Sequence, residues 1–340
     1  MDSVTQATLG AAIGEAVLGR KIGNKGMLWG AIAATLPDLD VIFVPLYNNI
    51  QRISIHRGYS HSILVSVVVA TLLAWLFYKW KAKSGVKFFE WWGLFFLALF
   101  THILLDSFTT YGTQLFLPFS DYRVGLDSIT IIDPFYTVPL LAGILSALFF
   151  ARTHPKRRLA NNLGLIISTL YLSFTMVNKS RINNVVESSL EQQQINYESF
   201  LTIPASAGSL LWYGVAKSPE GLYIGDYSVF DKEGNIDFEF FPTNEALLKD
   251  VEDEYLIDRM KWFAGGYYTV AEEDGIIRFY NLKCDMTGSA GEKNEAPTTF
   301  FFEITKNGDG SLGLASKMHH QNERYTHLGK LQRIFGNKIF

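Results

Sequence analysis

Ile63-Leu-Val-Ser-Val-Val-Val-Ala-Thr-Leu-Leu-Ala-Trp-Leu-Phe-Tyr78 is apolar on nearly every helical face. A helix in water keeps one polar face, so this stretch reads as a membrane span, and spans need about 20 mainly apolar residues. Similar runs lie on either side of it, at Met27–Tyr47, Trp91–Asp106, Phe135–Ala151 and Leu163–Val177, with the stretch itself extended to His61–Tyr78. A shorter Gly- and Ala-rich segment, Ala7–Gly19, reads either as a sixth, tightly packed span or as a re-entrant or interfacial helix. Trp75, Trp80, Trp91 and Trp92 fall near span ends, as interfacial aromatic belts do.

The expected fold is therefore a membrane all-α bundle of about five to six spans over residues 1–177, followed by a small soluble α+β domain over 178–340. Three short connections are basic: Arg20, Lys21 and Lys25; Lys79, Lys81, Lys83 and Lys87; Arg152, Lys156, Arg157 and Arg158. With six spans all three fall on one side, which the positive-inside rule makes cytoplasmic. The C-terminal domain of this multi-pass chain is then expected outside the cytoplasm, on the periplasmic or external face. Met1–Gly10 starts acidic and lacks the basic region of a signal peptide.

Composition excludes other classes. The net charge of −3 with no basic patch gives no electrostatic footprint for nucleic acid. The single cysteine, Cys284, excludes an intramolecular disulfide and reads as a half-buried core thiol.

In the second half, residues 178–196 are polar and read as a helix leaving the membrane. Strand-like segments follow at Leu210–Val215, Leu222–Phe230, Ile236–Phe241, Tyr267–Glu272, Ile276–Leu282 and Thr298–Ile304. The turns Lys232-Glu-Gly-Asn, Glu273-Asp-Gly and Asn307-Gly-Asp-Gly separate several of them, and one helix is expected at about Asn244–Trp262. His319, His320 and His327 have no acidic or Cys partner at useful spacing and read as exposed.

Ionisable residues inside the membrane are costly and mark functional sites. Here they cluster. Asp38 and Asp40 follow Pro37, which can break a helix and free backbone carbonyls. His56-Arg-Gly-Tyr-Ser-His-Ser leads into the next span, and Gly58 permits a turn that brings His56 and His61 to one point. His102 and Asp106 are four apart and share a helix face. Two or three His with as many carboxylates is the ligand set of zinc or, as an alternative, manganese. The expected ligands are Asp38, His56, His61, His102 and Asp106. The competing assignment pairs the acids with the histidines or Arg57 in a structural network.

For a hydrolytic role, Asp40 or Asp38 is the candidate general base, while Arg57 and Ser60 are candidates to hold an anionic oxygen such as that of a phosphoryl group. Asp127 and Asp133 are read as caps, or as partners that orient a histidine.

The stretches Asp2-Ser-Val-Thr-Gln-Ala-Thr-Leu-Gly, Leu36-Pro-Asp-Leu-Asp, His56-Arg-Gly-Tyr-Ser-His-Ser, His102-Ile-Leu-Leu-Asp-Ser-Phe-Thr-Thr-Tyr-Gly and Leu126-Asp-Ser-Ile-Thr-Ile-Ile-Asp-Pro together resemble the YdjM/YbcI-like family of bacterial inner-membrane proteins. The resemblance covers about residues 1–150. It implies a metal-dependent hydrolase, distantly similar to zinc-dependent phospholipase C and zinc nucleases. Many members have Thr-His near the N-terminus where this chain has Thr5-Gln6, which removes one potential ligand.

The function expected is a membrane-bound metal-dependent hydrolase. Its substrate would be a lipid or another phosphoester met at the bilayer. The alternatives are a non-catalytic metal-binding membrane scaffold and, less favoured for want of an internal repeat, a transporter or channel.

Overall fold

The computed structural model describes residues 1–43, 46–47, 49–232, 234–249, 251, 253–273, 275–283, 300–306, 312–318 and 327–335. Cys284, His319, His320 and the Asn307-Gly-Asp-Gly turn lie outside these residues. The chain divides into one unit of Met1–Leu46 with Ile55–Thr175, and a second of Tyr47–Ser54 with Met176–Phe340.

The first unit is helical. Its helices are α1 (Ser3–Ile22), α2 (Asn24–Thr35), α4 (Ile63–Trp80), α5 (Phe88–Ser107), α6 (Pro134–Leu148) and the start of α7 (Pro155–Gln192); the short α3 (Asn49–Ile55), between α2 and α4 in sequence, falls almost wholly in the second unit. Three of them, α4, α5 and α7, are long and apolar enough to cross a membrane, and α6 is a shorter apolar helix. The α4 side chains explain why a soluble reading fails. Ser66, Ala70, Ala74 and Phe77 form one buried stripe, while Leu64, Val68, Leu72, Trp75 and Leu76 stay exposed. Apolar surface of that extent belongs against hydrocarbon.

Small residues set the tightest packing. Gly10 and Gly14 of α1 face Gly30 and Gly26 of α2, so closely that a Cβ on Gly14 would come within 2.0 Å of the Gly26 carbonyl oxygen. Four-residue glycine spacing on both helices is the pattern by which backbones approach in membranes. In α6 and α7, Gly143 and Gly164 likewise leave no room for a Cβ, with neighbouring carbonyl oxygens at 2.8 Å. A buried ion pair ties α1 to α7: Arg157 donates to both Glu15 oxygens at 2.7 and 2.6 Å.

The helix expected across Met27–Tyr47 ends at Thr35. Pro37 cannot continue the hydrogen-bonding, and Pro37–Ile42 forms a 3₁₀ segment instead. At 1.5 Å per residue, the 12 residues of α2 are too short to cross alone.

The second unit holds two antiparallel four-stranded meanders, β1-β2-β3-β4 and β5-β6-β7-β8, preceded by the C-terminal part of α7. The strands are β1 (Ser199–Pro204), β2 (Leu211–Lys217), β3 (Gly221–Ser228), β4 (Glu239–Pro242), β5 (Tyr268–Glu273), β6 (Ile276–Asn281), β7 (Phe300–Lys306) and β8 (Leu312–Met318). Strand β2 is buried on both faces. Tyr213 and Val215 join a core with Ile203, Leu222, Ile224 and Leu282, while Trp212 and Ala216 pack with Ile182, Val186 and Leu190 of α7. The polar stretch from 178 is thus the continuation of α7. The expected Asn244–Trp262 helix is instead a 3₁₀ turn, Glu245–Leu248, then α8 (Glu254–Ala264), which starts where the Asp253 carboxylate accepts from Leu256 N–H at 2.9 Å. The final helix, α9 (His327–Phe335), opens at His327, whose side chain is not among those described.

Candidate metal centre

Helix α5 delivers two groups along one stripe. Trp91, Leu94, Phe95, Ala98 and Leu99 are buried along it, and the same face ends in His102 and Asp106, both 0% exposed. The 3₁₀ segment after Pro37 brings in Asp38. His61 comes from a one-turn 3₁₀ segment, Tyr59–His61, just before α4, whose N-terminus is capped by the Ser62 hydroxyl at 3.1 Å from Val65 N.

These four residues each offer a ligand atom within 4.8 Å of all the others. His61 Nε2 lies 3.2 Å from His102 Nε2, 3.4 Å from Asp38 Oδ1 and 3.3 Å from Asp106 Oδ2. His102 Nε2 lies 3.5 Å from Asp38 Oδ1 and 3.6 Å from Asp106 Oδ2. A tetrahedral ion with bonds of about 2.0–2.1 Å separates its ligand atoms by about 3.3–3.4 Å. The residues therefore fit a divalent metal by donor type and by spacing. Asp106 Oδ2 is buried and accepts no aligned hydrogen bond among the described residues, as an oxygen kept for a cation would be. Asp38, with 23% of its side chain exposed, is the one donor of the four that is open to the surroundings.

The outer groups fix the inner ones. Asp40 Oδ2 accepts from the Arg57 N–H at 3.0 Å and from the Ser60 hydroxyl at 2.9 Å. That hydroxyl proton is committed to the carboxylate, so Ser60 Oγ can only accept from His61 Nδ1, 2.9 Å away. His61 therefore carries its proton on Nδ1 and turns the Nε2 lone pair toward the cluster, the arrangement that metal-binding histidines receive from outer partners. Gln6 is fully buried and donates to Asp106 Oδ1 at 2.9 Å. The Met1 amino group also reaches that oxygen, at 2.5 Å. Arg57 sets its Nε 3.2 Å from Asp106 Oδ2 and donates through Nη1 to the Thr109 hydroxyl at 2.7 Å.

Five of the seven residues expected at the site stand differently from His56 and Asp40. Asp38, His61, His102 and Asp106 converge, and Arg57 adjoins them. His56 is outside the four-donor cluster: its Nδ1 is 3.1 Å from Asp40 Oδ1, and its ring centroid is 6.3 Å from that of His61. Gly58 was expected to make the turn that joins the two rings, but the left-handed residue is Arg57, at φ 58°. Asp40 holds that turn through the Arg57 N–H. Asp133 caps α6 by accepting from Phe135 N at 3.0 Å and takes the Tyr171 hydroxyl at 2.7 Å.

Sequence reasoning missed Tyr111, Thr109 and Arg123. The guanidinium carbons of Arg57 and Arg123 lie 5.1 and 4.6 Å from the Tyr111 ring centroid. Arg123 donates to the Tyr111 and Gly112 carbonyls at 3.2 and 3.1 Å. Nothing in their spacing signals this, because the loop 108–133 has no regular periodicity.

Contacts at the other ends of the helices join the basic connections. Lys21 pairs with Glu90 at 2.6 Å, and Arg152 donates to the Lys21 carbonyl at 3.0 Å.

The chain matches the family described as YdjM inner membrane protein over residues 1–182. It belongs to that family. It is also similar to the uncharacterized protein YfhP of Bacillus subtilis (strain 168), 35% identical over 166 residues that make up 46% of this chain and 48% of YfhP. Inner membrane protein YbcI of Escherichia coli (strain K12) is 32% identical over 125 residues, 35% of this chain and 69% of YbcI. The chain thus spans about half the length of YfhP. No solved structure matches. The four donors and the groups around them all fall within the matched residues.

Proposed function

We propose that this inner-membrane protein is a metal-dependent hydrolase acting on a phosphoester carried by a lipid or presented at the bilayer. The observation that carries the reading is the convergence of two imidazoles and two carboxylates with an arginine against them. Of these donors Asp38 alone is open to the surroundings. A zinc or manganese ion held there would supply Lewis-acid activation of a water or of a phosphoryl oxygen. His61, His102, Asp106 and Asp38 are the ligands. Arg57 holds the anionic oxygen of the substrate. Asp40 holds the turn that carries His61, and His56, whose Nδ1 lies 3.1 Å from Asp40 Oδ1, would take the proton released by the attacking water and share it with that carboxylate.

The lipid side of the proposal rests on the turns that bear the ligands. Leu39, Ile42 and Phe43, next to Asp38 and Asp40, and Tyr59, next to Ser60, are 45–63% exposed. Exposed apolar side chains at span ends suit an interfacial layer and a substrate that enters from it. The joined basic connections support an arrangement of six spans, the second made of α2 together with the Pro37–Ile42 segment, with that end cytoplasmic, the metal centre toward the outer leaflet and the C-terminal domain extracytoplasmic. Alkaline phosphatase fused after Phe340 is then active. A fusion active only as a cytoplasmic reporter overturns the orientation.

A second reading has its own observation. Four protein donors complete a tetrahedral shell, which is the form of structural metal sites, whereas catalytic ones keep a position open. On that reading the protein is a metal-stabilised scaffold. Turnover separates the two. Metal-loaded protein is assayed on bis(p-nitrophenyl) phosphate and on phospholipid vesicles, beside His102→Ala. Hydrolysis lost in the variant supports the enzyme. Absent hydrolysis, with a lower melting temperature in the variant, supports the scaffold.

A further inference from the structure

We infer that the centre holds a single divalent ion, and that the Arg57 guanidinium supplies the second positive charge that a paired-metal site would draw from another ion. The inference rests on the Asp38–His61–His102–Asp106 cluster being a metal centre, and goes further by fixing its stoichiometry.

The first argument is donor supply. Two-metal sites hold their ions about 3.5–4 Å apart and need ligands for both. A carboxylate bridges two ions through both oxygens or through one. Asp106 Oδ1 accepts from the Gln6 amide at 2.9 Å and from the Met1 amino group, which leaves Oδ2 alone facing the histidines, so a second ion would have to share that one oxygen. Asp40 is the next carboxylate, but His56, the Arg57 N–H and the Ser60 hydroxyl occupy its two oxygens at 3.1, 3.0 and 2.9 Å.

The second argument is position. Arg57 Nε stands 3.2 Å from Asp106 Oδ2, the oxygen that a second ion would have to share. The side chain is only 6% exposed and is anchored by Thr109. A second cation on that side would meet a fixed guanidinium in a poorly screened interior.

The third argument is charge balance. Asp38, Asp40 and Asp106 bring three negative charges, while Arg57 and the Met1 ammonium against Asp106 Oδ1 bring two positive. Histidines bind metal in their neutral form. One negative charge remains, so one divalent ion leaves a single positive charge. A second ion would leave three among groups of which only Asp38 and His56 are appreciably exposed, a costly arrangement. Arg123 and Asp127, both 7% exposed in the neighbouring loop, add one charge of each sign and leave the balance unchanged.

The test is a cobalt(II) titration of the full-length protein in detergent, followed by visible absorbance and by native mass spectrometry, with His102→Ala alongside. Saturation at one equivalent, absent from His102→Ala, is the expected result. Saturation at two equivalents that both depend on His102 overturns the single-ion inference and leaves the metal centre standing. No cobalt bound, or the same binding in His102→Ala, overturns the metal centre and the inference with it. Arg57 is tested by comparing two variants that both lose its fork geometry. Arg57→Gln, without the charge, should bind the ion at least about tenfold tighter than Arg57→Lys, which keeps it. Equal or weaker binding by Arg57→Gln refutes the charge role.

Discussion

Replacing Ser60 with alanine should weaken metal binding without touching a ligand. The hydroxyl sits between Asp40 Oδ2 and His61 Nδ1, 2.9 Å from each, and it is the group through which the carboxylate holds the Nδ1–H tautomer of His61. In Ser60→Ala, Asp40 Oδ2 remains 3.6 Å from His61 Nδ1, beyond good hydrogen-bond range. The imidazole, 0% exposed and closed off from water, loses its aligned acceptor. Removing an outer partner of a ligating histidine costs roughly 10–100-fold in metal affinity. That corresponds to about 1.4–2.8 kcal/mol. The assay is competition for the metal against a chromophoric chelator, for wild type, Ser60→Ala and Ser60→Thr. Threonine keeps the hydroxyl and should restore most of the affinity. Nitrogen-15 shifts of His61 report the tautomer independently. The reasoning fails if Ser60→Ala binds metal as tightly as wild type, or if threonine binds no better than alanine.

Gly14→Ala puts a Cβ within 2.0 Å of the Gly26 carbonyl oxygen, so α1 and α2 must part. Overpacking of this kind costs about 1–3 kcal/mol, and a thermal melt in detergent should show it, whereas Gly93→Ala, with open space around it, should not. Glu15→Gln leaves Arg157, 3% exposed, without its charge partner and should lower stability by about 3–5 kcal/mol. The double variant Glu15→Gln/Arg157→Gln should be less unstable than either single change, and strict additivity in the melts would refute the buried pair. Gln6→Leu removes the amide donor to Asp106 Oδ1, leaving that oxygen to the Met1 amino group, and should loosen the orientation of the carboxylate, read as weaker metal binding with helix content unchanged by circular dichroism.

Much of the site was legible because its signals are local. His102 and Asp106 share a helix face by their spacing alone, and Pro37 ends α2 for a reason visible in the residue itself. What the sequence left open depends on long-range placement. His56 and His61 flank Gly58 closely on either side, but only the left-handed turn at Arg57 decides that His61 enters the cluster while His56 turns to Asp40. Ser60 carries no motif that distinguishes a tautomer-fixing hydroxyl from an anion-binding one. Gln6 stands where many family members carry a histidine, and its role, donating to Asp106, depends on α1 packing on α5. In the second unit the strong alternating segments were readable. Strand β1, Ser199–Pro204, ends in a proline and is short, and its register comes only from pairing with β2. The break before α8 was hidden because the helical composition of residues 244–262 runs across the Asp253 cap.

The most direct test of the metal centre is elemental analysis of the full-length protein purified in detergent, wild type beside His61→Ala/His102→Ala. The account predicts about one equivalent of a divalent transition metal, zinc or manganese, in the wild type and none in the double variant. Wild-type protein that stays free of metal after reloading, or a double variant that keeps its full complement, would contradict it.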